Sequence, residues 1–137
     1  MGFEMRVLIM VGMLICLTSL VYANPIVYKN GTATYYGPPY VPSACYGNQS
    51  KGVFVAKVSA ALWKNRTACG DIYKVKCTGP TNPTVLQPCK PGTFVLVKVV
   101  DYCRPPSCNA TFDLSRNAFN VIAFTSSREI NIEYIRR

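Results

Sequence analysis

Histidine is absent from this chain, and only six of its 137 residues are acidic. Without an imidazole, neither a Ser-His-Asp nor a Cys-His nucleophilic arrangement can be built. No C-x-x-C pair occurs either, so the closely paired ligands of a structural zinc site are missing, and neither a metal nor another cofactor is expected. There is no G-x-S-x-G turn and no glycine loop that could cradle a phosphate. Carboxylates are the catalytic groups that remain. The chain also lacks internal repeats and low-complexity linkers.

The apolar run Val7 to Leu17 is broken by Thr18 and Ser19 and is too short to span a bilayer comfortably. It follows a short head containing Arg6 and precedes Val21-Tyr22-Ala23. That pattern predicts a secretory signal over residues 1–23, removed before Asn24, and an exported domain over residues 24–137. Of the seven cysteines, the signal would take Cys16 and leave six: Cys45, Cys69, Cys77, Cys89, Cys103 and Cys108. An even number in a small exported domain reads as three disulfides. Cys103 and Cys108 are close enough to close a local loop, but six cysteines allow fifteen pairings and sequence does not choose among them.

The net charge is +9, and loss of Glu4 and Arg6 with the signal leaves it unchanged. The basic residues are scattered from Lys29 to Arg137. Outside a cell, such a surface favours acidic polysaccharide or anionic head groups over nucleic acid, besides keeping the protein soluble. N-x-S/T sequons at Asn30, Asn48, Asn65 and Asn109 are candidate glycosylation sites, which places them on loops or exposed faces.

The residue pattern predicts a mainly β fold with little helix. Strands are expected over Gly31 to Tyr36, Val53 to Val58, Tyr73 to Cys77 and Thr93 to Val100, with a last strand alternating through Ile130, Ile132 and Tyr134. Thr93 to Val100 is so apolar that it reads as buried on both faces. Ser115 to Ala123 has helical spacing, with Asp113 or Ser115 available as its N-cap, and Ser59 to Trp63 could form a second short turn. Short strands with one or two small helices point to a compact barrel.

Asp113 and Asp101 lie close together in the stretch Val99 to Phe119. Asp113 is a candidate general acid, a sugar ligand or a helix cap; Asp101 could partner it or order its loop through backbone N–H groups. Tyr35, Tyr36, Tyr40, Tyr46 and Trp63 are candidates to stack on sugar rings. Strand alternation should bury one of Tyr35 and Tyr36 and expose the other.

The segments ATYYGPPYVPSACYG, ALWKNRTACGDIYKVKC and VKVVDYCRPPSCNATFDLSRNAFNVIA together resemble the plant natriuretic peptides, also described as endoglucanase-45-like domain proteins within the expansin-like group. The resemblance covers nearly all of residues 24–137 and implies a six-stranded double-psi β-barrel. It also implies secretion to the apoplast or cell wall and extracellular signalling in water and ion homeostasis, a role expected to be non-enzymatic because the catalytic carboxylate pair is incomplete. The partner would be a cell-surface receptor or an acidic wall polysaccharide, engaged by a monomer. It assigns peptide activity to Pro38 to Gly70, and by analogy pairs Cys45 with Cys69, Cys77 with Cys89, and Cys103 with Cys108.

Expansins and family-45 endoglucanases carry a T-x-Y-type motif and an HFDL-type motif, matched here by Thr34-Tyr35-Tyr36 and Thr111-Phe112-Asp113-Leu114, with threonine in place of histidine. Asp113 therefore matches the endoglucanase acid, but Gly37-Pro38-Pro39-Tyr40 stands where the base would follow. An inverting hydrolase needs that second carboxylate roughly 6.5–9.5 Å away. A lytic transglycosylase needs one acid, which Asp113-Leu114-Ser115 supplies. A carbohydrate-active enzyme using Asp113, with Asp101 as the other candidate, and a barwin-like defence protein binding microbial wall glycans are thus the alternative readings. The resemblance extends to the barrel of the expansins alone, so no counterpart of the β-sandwich domain with which they hold cellulose is expected.

Overall fold

The computed structural model describes residues 25–137. The expected signal segment, with Cys16, lies outside the described residues. Six strands close into a barrel: β1 (Lys29–Tyr36), β2 (Val55–Val58), β3 (Ile72–Pro80), β4 (Val95–Tyr102), β5 (Phe112–Ser115) and β6 (Ile130–Arg136). Around the barrel the order is β1, β5, β2, β4, β3, β6. Two neighbouring pairs run parallel, β1 with β5 and β2 with β4; the other four are antiparallel. Two short helices, α1 (Ala60–Trp63) and α2 (Arg116–Ile122), complete the fold.

Alternation along the strands fills the barrel. Val75, Val97, Val99, Leu114, Ile130 and Ile132 point inward and are almost fully buried. At the centre, Phe112 meets Tyr73 and Tyr134 edge-on, each at 5.1 Å between ring centroids. Edge-to-face pairs of this kind add roughly 0.5–1.5 kcal/mol beyond the area they bury. Against the outside, α2 lays Ala118, Phe119 and Ile122 onto the barrel and is buried along that stripe.

The strand over Val95–Tyr102 departs from its expected two-sided burial. Val95, Val97 and Val99 are inside, but Leu96 is 40% exposed, because the outer wall of a closed barrel faces solvent. Both faces are covered only at Val99 and Val100. There the strand bulges and the Cys45 N–H bonds to the Val100 carbonyl, bringing a loop over it. The residues between the cysteine loop and α2 form a strand, β5, rather than a simple junction. Its start is tied to β1 by Thr32 and Thr111, each of whose backbone N–H groups donates to the other's hydroxyl, at 3.1 and 3.4 Å. Gly31 makes this approach possible, since a Cβ there would sit 2.5 Å from Thr111 Oγ1.

Disulfides join Cys45 to Cys69, Cys77 to Cys89 and Cys103 to Cys108. The first ties the loop after β1 to the turn after α1, the second the end of β3 to the loop before β4, and the third closes the loop before β5. Chain crosslinks of this kind stabilise a domain mainly by restricting its unfolded state.

Of the two cap candidates, Ser115 caps α2: its hydroxyl accepts from the Ala118 N–H at 3.1 Å and donates to the Val53 carbonyl. Asp113 lies two residues earlier, within β5. Because Ser115 is fully buried, Ser115→Ala leaves two backbone groups without partners and should cost about 2 kcal/mol, lowering the melting temperature by several degrees. Thermal denaturation of the variant checks this.

Candidate functional site

The barrel register builds the site. Asp113 on β5 is flanked by Thr34 on β1 and by Lys57 on β2, and Lys57 is in turn flanked by Asp101 on β4. Thr34, Asp113, Lys57 and Asp101 therefore form one row across four adjacent strands. All four are half-buried, while their chain neighbours Ala33, Phe112, Leu114, Ala56 and Val58 are buried inside. The row thus faces out of the barrel.

The Thr34 hydroxyl donates to Asp113 Oδ1 at 2.9 Å. Burial raises Asp113 above the usual carboxylate range; the Thr34 hydrogen bond and the Lys57 charge oppose that rise without cancelling it. Lys57 reaches over Tyr36, its Nζ 4.5 Å from the ring centroid. Burial, reinforced by the Asp101 and Asp113 carboxylates and by Tyr40, pushes the Tyr36 phenol well above its ordinary range. Tyr36 therefore stays a neutral hydrogen-bonding group beside both acids. Asp101 Oδ1 accepts from the Tyr102 N–H at 2.8 Å, a bond within the last two residues of β4.

Aromatic residues extend the row at its β1 end. Tyr40 packs edge-on against Tyr36 at 5.4 Å, and its hydroxyl donates to Asn117 Oδ1 at 2.6 Å. Trp63 stacks on Tyr102, with centroids 5.5 Å apart and planes 9° from parallel, but Tyr102 pairs with the buried Val58 and so stands on the opposite side of β4 from Asp101. Arg104, from the Cys103–Cys108 loop, lies 5.4 Å from the Tyr102 ring. One face of Trp63 is thus occupied by Tyr102.

Two further sequence candidates fall outside this surface. Tyr35 and Tyr36 are both half-buried rather than divided between inside and outside. Tyr35 packs on Phe119 at 4.7 Å and its hydroxyl donates to the Thr125 carbonyl at 2.7 Å, so its ring supports α2. The Tyr46 ring is covered by Lys51 at 4.5 Å. All four sequon asparagines are exposed, although the Asn109 amide already donates to the Pro106 carbonyl at 3.1 Å. Among the described residues no cluster of three or more Cys, Asp or Glu could hold a metal ion. No helix there is long and apolar enough to cross a membrane.

Lys57 was not legible as a site residue. A lone lysine in the apolar run Val55 to Val58 was the available signal for Lys57, since alternation turns it out of the barrel. Its place between two acids depends on pairings that no local pattern reveals.

Residues 55–134 match the family model described as lytic transglycolase. An EG45-like domain containing protein from Citrus jambhiri is 47% identical over 135 residues, covering 98% of each chain. The chain belongs to the EG45-like domain family. Expansin-A13 of Oryza sativa subsp. japonica is 33% identical and matches 82% of this chain but 50% of its own length. The EG45-like chain thus spans about half of that expansin. Among solved structures, an expansin from Clavibacter michiganensis superposes with a TM-score of 0.60 at 23% identity. A mutant of it in complex with cellohexaose gives 0.58 at 24%. Each covers 81% of this chain and 50% of that one, and they show the shared barrel.

Asp113 neither caps a helix nor forms an ion pair within 4.0 Å among the described residues. Its folded pKa is raised, so the folded state holds the proton more tightly than the unfolded chain does. Stability therefore falls as pH rises from the ordinary aspartate range through the raised value. Asp113→Asn, which keeps an acceptor for Thr34, should melt at an equal or higher temperature than wild type at pH 7. The difference should vanish below about pH 3.5, where the aspartic acid is protonated in both states. Melting curves across that range check the sign.

Proposed function

We propose that this EG45-like protein is secreted and wall-associated, and that as a monomer it binds polysaccharide along the surface from Asp101 to Tyr40 without hydrolysing it. The observation that carries this reading is Lys57, which occupies the strand position between Asp113 and Asp101. Two strand spacings separate the backbones of the two acids by about 9.5 Å. An inverting pair needs the intervening space for a sugar and an attacking water. Here a lysine side chain springs from that space, and Asp101 is engaged by its neighbour's N–H.

Other features support the same reading. Three disulfides suit an oxidising extracellular compartment. The basic surface suits an acidic wall matrix. A structural neighbour with the same barrel is known in complex with cellohexaose. A half-buried carboxylate that lowers stability is the kind of residue retained for contact with a ligand.

The raised pKa of Asp113 favours one further reading, single-acid lytic cleavage. Asp113 would protonate the leaving oxygen as the glycosidic bond breaks, and the resulting carboxylate would take back the proton of the sugar hydroxyl that attacks the anomeric carbon. A panel of glucans, galacturonans and peptidoglycan, offered to wild type and Asp113→Asn, separates the two. Binding weakened severalfold by the variant, with no soluble product from either protein, is the expected result. Product released by wild type and lost in the variant would establish cleavage instead.

Extracellular signalling in water and ion homeostasis, through a cell-surface receptor, completes the proposal. The segment Pro38 to Gly70 contains β2, whose hydrogen-bonding partners β4 and β5 both lie outside it, although it retains the Cys45–Cys69 bridge. Applied to plant protoplasts, the intact domain should cause swelling at lower concentration than the isolated segment. Equal potency would place the signal in the loops alone, and an inert domain would remove the signalling role.

A further inference from the structure

Beyond Tyr40, the outer face of α2 holds a concavity of about 290 Å³ lined by Arg116, Asn117, Asn120 and Thr125. No carboxylate is among its lining residues. Its acceptor atoms are largely occupied. Asn117 Oδ1 accepts from Tyr40, Asn120 Oδ1 and the Asn120 carbonyl accept from Lys90 Nζ, and the Thr125 carbonyl accepts from Tyr35. What remains for a ligand is a set of donors: two amide NH2 groups, a hydroxyl and the Arg116 guanidinium.

Arg116 is held in place without being neutralised. Its guanidinium lies against Gly37, where a Cβ would come within 2.9 Å of Nη2, and 6.0 Å from the Tyr35 ring. Among the described residues it forms no ion pair. A planar fork of donors with no carboxylate of its own is suited to bidentate recognition of one supplied by a ligand. Tyr40 links this concavity to the row, because its ring meets Tyr36 and its hydroxyl holds Asn117.

We propose that this concavity is a subsite for a uronate residue, a sugar ring bearing a carboxylate, within an acidic polysaccharide. Sugars on one side of that uronate extend past Tyr40 and Tyr36. The inference rests on the glycan-binding reading and adds a chemical class and a direction to it.

The test compares wild type, Arg116→Gln, Gly37→Ala and Lys76→Gln on polygalacturonate, on fully methyl-esterified galacturonan and on cellohexaose, at one fixed ionic strength. Gly37→Ala displaces the guanidinium by way of a flexible side chain. Lys76→Gln removes the same charge from β3, across the barrel from β5. Loss of a charge-assisted bidentate contact should weaken polygalacturonate binding about tenfold in Arg116→Gln and severalfold in Gly37→Ala. Lys76→Gln should change it less than about twofold, as expected of a remote screened charge. Circular dichroism confirms that each variant is folded. Equal losses in Arg116→Gln and Lys76→Gln would show diffuse charge and overturn the subsite. So would wild type binding the esterified polymer as tightly as the free acid. Binding to cellohexaose alone would overturn the subsite but leave the glycan-binding reading standing, whereas binding to no glycan would remove both.

Discussion

Strand β5 is four residues long and lies between β1, with which it runs parallel, and β2, with which it runs antiparallel. Its register is the constraint on which much of the molecule depends. Phe112 and Leu114 must point inward to fill the barrel, and a slip of one residue would bury Asp113 in place of Phe112. With that register set, Asp113 can face only Thr34 on one side and Lys57 on the other. The following residue, Ser115, then arrives where its hydroxyl can start α2. Packing of the interior and placement of the site are consequences of the same pairing.

The longer elements were legible because their periodicity is local. The strands around Tyr73 to Cys77 and Ile130 to Tyr134, and the helix after Ser115, were each visible in sequence, though their ends moved by up to three residues. The pattern of short strands pointed to a compact barrel, and the family resemblance supplied its six strands and double-psi topology. β5 was missed because two inward residues between a cysteine loop and a helix are too few to show alternation. Leu96 was misread because an apolar residue on the outer wall looks the same in sequence as one inside. For the site, Asp113, Tyr36 and Tyr40 were visible as candidates. Lys57 and Arg116 acquire meaning only through contacts distant in sequence, Lys57 by cross-strand register and Arg116 by leaning on Gly37.

The site combines groups whose preferences conflict. Burial makes the Asp113 carboxylate harder to ionise, while Lys57 and the Thr34 hydroxyl favour its charged form. The lysine that stands between the two acids on the strands carries its charge over the Tyr36 ring.

The closed strand order has a consequence for behaviour at high concentration. An open sheet presents unpaired N–H and C=O groups along its outer strands, and these can template pairing with another chain. Here β1 is hydrogen-bonded to both β5 and β6, so the sheet has no first or last strand. With a strongly cationic surface adding mutual repulsion between copies, the domain can be packed densely into a confined matrix without seeding strand-to-strand aggregation.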